Sequence, residues 1–296
     1  MEKSFGSENE AISDALTGAG HDILADARHA LTNREQSDAQ AVHAYRKTMK
    51  RWRALLRLLK PFLGEEGRSL DRQARDFAHE FAGARDLQGA LDALADLGAP
   101  DQGVPRVSLT AMQSRLVEAR QAAEASTLNE ERRQRLTGAL NAATLALECW
   151  PLERIPFSQI ADELARTYRR ARWAVPRRWS SARGEEIHEL RKRVVAHRHQ
   201  MEFIAPLWPR MIKMWVGEAQ RLRDRLGRHH DLEMLKALTA VREPLAQWRE
   251  PMLPAIAVRQ AAHLREAAEL AGQLFAERPK AFRERIAALS RNRTDE

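Results

Sequence analysis

The chain has 296 residues, enough for one large or two ordinary domains with a sizeable core. Lys and Arg number 49 against 41 Asp and Glu, a net charge of +8, so an anionic partner is the first expectation. A single cysteine, Cys149, excludes a disulfide framework and a cysteine-rich metal site, and no run of about 20 apolar residues offers a membrane span.

Gly and Pro are sparse, and Ala, Leu, Arg and Glu dominate, so the chain is expected to be all-α. A first helix is placed at 8–31, with residues 1–20 also candidates for disorder. Ser37 and Gln40 form a capping-box pattern ahead of a helix at 38–60, whose apolar stripe runs Val42, Tyr45, Met49, Trp52, Leu56, Leu59. Pro61 is expected to stop it. Further helices follow at 66–82, 86–97, 106–125, 129–148, 157–174, 185–205, 208–226, 231–248, 252–276 and 279–290, separated at Gly or Pro. Asp86 and Asp231 stand a few residues after Gly83 and Gly227, ahead of apolar runs, and are read as helix N-caps.

The run Val42-His43-Ala44-Tyr45-Arg46-Lys47 recurs as Ile187-His188-Glu189-Leu190-Arg191-Lys192, and the same offset carries Pro61 onto Pro206 and Arg85-Asp86-Leu87 onto His230-Asp231-Leu232. A gapless offset over such a length predicts an internal repeat. Two related helical units, 1–150 and 151–296, each like a four-helix bundle and related by approximate two-fold symmetry, are expected to meet near Pro151 and Pro156. The charge is uneven between them. Residues 1–150 hold 20 basic and 22 acidic side chains, whereas 151–296 hold 29 and 19. Of the basic residues 41 are Arg, the fork that suits phosphate oxygens, although GC-rich coding produces the same bias.

Beside the apolar stripe of the 38–60 helix runs a cationic one, His43, Arg46, Lys50, Arg53, Arg57 and Lys60, widened by Lys47 and Arg51. No carboxylate interrupts residues 42–60. Surface helices usually mix signs, because opposite charges at i and i+4 support the helix. The second copy keeps His188, Arg191, Lys192 and Arg198 but places Val195 and Glu202 where the first has Lys50 and Arg57. Both copies therefore set His-x-x-Arg-Lys at a helix start, where free backbone N–H groups and the helix dipole add positive potential. Arg169 and Arg170, Arg225, His229 and His230, and Arg85 of the first unit are further candidates to line one groove with these helix starts. The alternative for His43 and His188 is a partly buried ring bonded to a carbonyl. The histidine spacings do not match helical zinc ligation, so no metal and no cofactor are expected. Phosphate-loop, nucleophile-elbow and H-E-x-x-H motifs are absent, and no catalysis is read from the residues.

Two His-x-x-Arg-Lys copies on Arg-rich helices, with the turns Ala84 to Leu87 and His229 to Leu232, resemble the CHAD family, the conserved histidine α-helical domain, over about residues 20–290. The resemblance implies paired four-helix bundles and a basic surface or channel that binds inorganic polyphosphate at cytoplasmic polyphosphate granules. It places His43, Arg46, Lys47, Lys50, Arg53, His188, Arg191, Lys192 and Arg198 on that surface. The triphosphatase activity of modules often fused to this family is not carried over, since runs of E-x-E-x-K type are missing. Nucleic acid is the competing polyanion, disfavoured by an aromatic content of only 6%. A His-dependent phosphohydrolase is the remaining alternative. The polar, acidic amino terminus lacks a signal-peptide run, which points to the cytoplasm without a membrane partner.

Overall fold

A computed structural model describes residues 2–98, 106–124 and 128–291, with side chains for all of these except 2–9, 79, 82–85, 106, 107, 123, 124, 290 and 291. The described residues form ten α-helices and no strand. In chain order they are α1 (Glu2–Thr32), α2 (Asp38–Glu80), α3 (Ala82–Leu97), α4 (Arg106–Glu124), α5 (Glu130–Glu148), α6 (Phe157–Trp173), α7 (Gly184–Phe203), α8 (Pro209–Ala237), α9 (Arg249–Leu274) and α10 (Pro279–Arg291). The stretch considered for disorder is helical from Glu2, and Ile12 and Leu16 are buried in the core.

Local signals set most of the boundaries. Ser37 and Gln40 make the expected reciprocal cap, each backbone N–H donating to the other's side-chain oxygen, and α2 follows. Pro61 does not end that helix. It forfeits one backbone hydrogen bond, while Leu58, Leu59 and Leu63 around it stay buried and hold the turn. The chain bends three residues later at Gly64, whose φ of 56° and ψ of −136° need a residue without a Cβ.

Gly227 is likewise no break. The separate helices expected at 208–226 and 231–248 are one helix, α8, which ends at Ala237. The N-cap reading of Asp86 and Asp231 falls with it, since both lie inside helices, α3 and α8. Asp231 instead faces α3, where a Cβ built on Gly89 would come within 2.9 Å of its Oδ1. The missing side chain lets these two helices approach closely.

Helix α1 packs on α2 and α5, and α6 packs on α7 and α10. Helix α3 packs on α4 just as α8 packs on α9, while α2 crosses α7 and α3 crosses α8. The larger core gathers α1, α2, α5, α6, α7, the first half of α8, the end of α9 and α10. Every residue of the stripe from Val42 to Leu59 is buried in it, which is what the 3.6-residue period demands of a core-facing helix. Trp52 stacks on Trp150 with ring centroids 5.5 Å apart. A second, smaller core joins Ala90, Ala93, Leu94 and Leu97 of α3 and Met112 and Leu116 of α4 to Leu232 and Leu235 of α8 and Met252 and Ile256 of α9.

Candidate functional site

Helices α2 and α7 touch in an antiparallel sense. Gln200 Nε2 donates to the Ala54 carbonyl at 3.1 Å, Arg51 faces Arg198 and Glu202 beyond it, and Arg57 faces Arg193 and Glu189 on the other side. His43 stands eleven residues before Ala54 and His188 twelve before Gln200, each about 17 Å along its own helix. The two helix starts therefore lie toward opposite ends of the contact. A groove that includes both must run along α2 and α7, and a ligand that touches both must be a chain.

At the α2 end His43 and Lys47 are exposed, and Arg46 and Lys50 are half-buried. At the α7 end the ring of His188 lies 4.8 Å from that of His230 on α8. Arg191, only 8% exposed, points its guanidinium at the backbone of α8, its Nε 3.6 Å from where a Cβ of Gly227 would stand. The structure thus unites His188 and Arg191 with His230, which follows them in sequence by 42 and 39 residues. Arg85 lies outside the described side chains.

Between the two ends the cations are held by acids. Arg51 pairs with Asp26 at 3.2 Å and Arg53 with Asp71 at 2.9 Å, with Arg57 4.0 Å from the same carboxylate. On α7, Glu189 takes Lys192 at 3.2 Å and Arg193 at 2.6 Å, and Glu202 takes Arg198 at 2.8 Å and His199 at 2.7 Å. Burial alone raises the Glu189 and Glu202 carboxyls, but the hydrogen bonds from Arg193 and Lys192 to Glu189, and the bond from His199 to Glu202 with the Arg198 charge beside it, prevail and hold both below the usual carboxylate range.

The remaining candidates spread outward. Arg225 pairs with Glu266 of α9 at 2.8 Å. His229 is buried between α8 and α9, its pKa lowered by burial against the opposing pull of Glu233. Arg169 and Arg170 are exposed on α6, with Arg169 set over the ring of Trp173 at 5.1 Å.

Sequence reasoning did not find a partly buried ionic clamp that joins the second core. Asp96 of α3 accepts from Arg259 Nε and Nη2 at 2.9 and 2.7 Å and bonds His263 Nε2 at 2.7 Å, both partners being on α9. Burial raises this carboxyl, but the two partners bring it down to about 2. His197, wholly buried among Tyr168, Trp215, Phe275 and Phe282, accepts from Trp215 Nε1 at 3.1 Å. Burial holds it neutral, with a pKa of about 3. His197 has no access to the surface, whereas Asp96 also faces the exposed Arg228 at 3.6 Å.

Among the described residues no three His, Cys, Asp or Glu side chains come together as a metal site, and no helix is long and apolar enough to cross a membrane. No curated protein matches the sequence. The protein-family model that matches, over residues 21–240, is the CHAD domain.

Proposed function

Since the chain belongs to the CHAD family, we propose that it binds inorganic polyphosphate along the α2–α7 contact and associates with polyphosphate granules in the cytoplasm. The observation that carries this reading is the cationic row on α2, five helical turns from Val42 to Lys60 without a carboxylate, running beside a second His-x-x-Arg-Lys helix. A polyphosphate chain offers one negative charge per unit, no base to stack and no fixed shape. Its complement is a row of forked and pointed cations at helical spacing, reached along a groove longer than any single phosphate. Binding would release condensed counterions, which ties affinity to salt.

The reading also takes the chain as two related units with approximate two-fold symmetry. The helix pairings support it: α1 with α2 and α5 corresponds to α6 with α7 and α10, α3 with α4 corresponds to α8 with α9, and the crossings of α2 with α7 and α3 with α8 map onto themselves under the sequence offset. On this arrangement His43, Arg46, Lys47 and Lys50 form one terminus of the track and His188, Arg191, Lys192 and His230 the other.

The test is a salt series of long-chain polyphosphate titrations with the full chain and with Arg46→Glu combined with Lys50→Glu. The variant should lose binding strongly and show a flatter salt dependence, with an unchanged helical circular-dichroism spectrum. Equal affinity in both proteins would reduce the row to a solvated helix face. Phosphate release from the polymer by the wild type would replace the binding role with a hydrolytic one.

A further inference from the structure

The connection from α6 to α7 carries a chemistry that polyphosphate cannot use. From Leu164 to Gly184 there is no acidic residue and there are seven arginines. Some are spoken for: Arg166 pairs with Glu163 at 2.9 Å, Arg172 donates to the Phe275 carbonyl at 2.9 Å, and Arg183 stands 3.8 Å from Glu186. Arg177 and Arg178 are exposed, and their guanidinium groups bond to none of the described residues. In their midst Trp173, the last residue of α6, is 70% exposed. One face of its indole is covered by the Arg169 guanidinium at 5.1 Å, which leaves the other face and the ring edge to solvent.

A tryptophan placed this way is an aromatic platform inside an electropositive field. Simple phosphate chains would engage the arginines and leave the ring idle. A lipid surface would call for several apolar side chains pointing the same way, whereas Val175, Pro176 and Trp179 are half-buried and the exposed neighbours are arginines and the polar Ser180 and Ser181. Single-stranded nucleic acid needs both elements at once, a ring on which a base stacks and guanidinium groups spaced along the phosphates. We propose that Trp173, with Arg169, Arg177 and Arg178, forms a second binding surface, for single-stranded nucleic acid, independent of the α2–α7 track.

The experiment is fluorescence anisotropy of a labelled single-stranded RNA about 20 nucleotides long, at one fixed salt concentration, with the full chain and the variants Trp173→Ala and Trp173→Phe. Long-chain polyphosphate and phosphatidylglycerol vesicles are titrated in parallel. Trp173→Ala should weaken RNA binding about tenfold and Trp173→Phe should recover most of it, because a smaller ring still stacks. Polyphosphate affinity should stay within about twofold in both variants, since the ring contributes no charge. Wild-type protein that fails to bind RNA, or a Trp173→Ala variant that binds it as well as the wild type, overturns the inference. Equal loss for RNA and polyphosphate also overturns it, by making Trp173 part of one common anion site, as does loss confined to the vesicles. Trp173-dependent RNA binding by a wild type that ignores polyphosphate would uphold this surface while removing the function proposed above.

Discussion

Helices α2 and α7 begin with the same signature in the same register, yet they hold their charge differently. Between Val42 and Lys60, α2 contains no acid, and where its arginines are neutralised the carboxylate comes from another segment, Asp26 on α1 or Asp71 beyond the Gly64 bend. Helix α7 brings its own acids, with Glu189 three and four residues before Lys192 and Arg193, and Glu202 four after Arg198. Such pairs form from local geometry alone, so the cations of α7 are engaged before any ligand arrives. A shared motif fixes where a cation stands; the acids around it decide how much field it offers. On the proposed function, α2 is the strong half of the track and α7 the weak half.

The sharpest way to break this comparison is to neutralise two cations on each helix. Lys47→Gln with Lys50→Gln should weaken polyphosphate binding about 30-fold near 0.1 M salt and lower the salt slope by about two, while Lys192→Gln with Arg193→Gln should cost only about threefold. Equal losses would mean that the ligand displaces Glu189 at no net cost.

A second contrast lies in acid stability. Among the described residues His197, His199, His229 and His263, all in the second half, have pKa values that burial lowers. The unfolded chain takes up protons near pH 6.5 and the fold resists them. Stability is therefore complete above about pH 6.5 and declines as pH falls, for His197 until about pH 3. Each histidine that stays neutral should shift the unfolding equilibrium up to about tenfold per pH unit. Hydrogen exchange at pH 5 should show α7 opening before α2, and His197→Gln should flatten the pH dependence even though it lowers stability at pH 7. Asp96 adds a lower window, its contribution present above about pH 4 and lost toward pH 2.

The histidines at the helix starts give a smaller effect. Each ring offers the polymer a hydrogen bond, where the lysines and arginines beside it bring permanent charge. His43→Gln with His188→Gln should therefore weaken polyphosphate binding only about threefold in titrations at pH 8. The smallest expected effect, and the one that most refines the comparison, is a gain: Glu189→Gln should free Lys192 and Arg193 and tighten polyphosphate binding about twofold in isothermal titration.

Much of this was legible in the sequence where the signal is local. The stripe from Val42 to Leu59 and the Ser37 cap declared α2, and the offset between His43 and His188 identified the two helices that cross. The failures came where packing overrode local preference. Pro61 and Gly227 read as stops, yet buried leucines on both sides carry the helix through each. Had α8 been read through Gly227, His229 would have fallen in phase with Leu222, Leu226 and Leu232 as a core residue, and His230 one position round as the neighbour of His188. The bonds from Asp96 to Arg259 and His263 span more than 160 residues and follow no spacing rule. Trp173 was visible as a residue but not as an exposed one, because exposure at a helix end depends on what the rest of the chain leaves uncovered.

The second core has a consequence for how the molecule can be divided. Its apolar residues come from α3 and α4 in one half and from α8 and α9 in the other, and the Asp96 clamp crosses the same seam. Neither half owns a complete interior. A polypeptide cut between Trp150 and Leu152 would present Leu94, Leu97 and Met112 to water on one fragment and Leu232, Leu235 and Ile256 on the other. Each fragment would expose an apolar face that the other covers in the intact chain, and each half constrains the substitutions open to its counterpart.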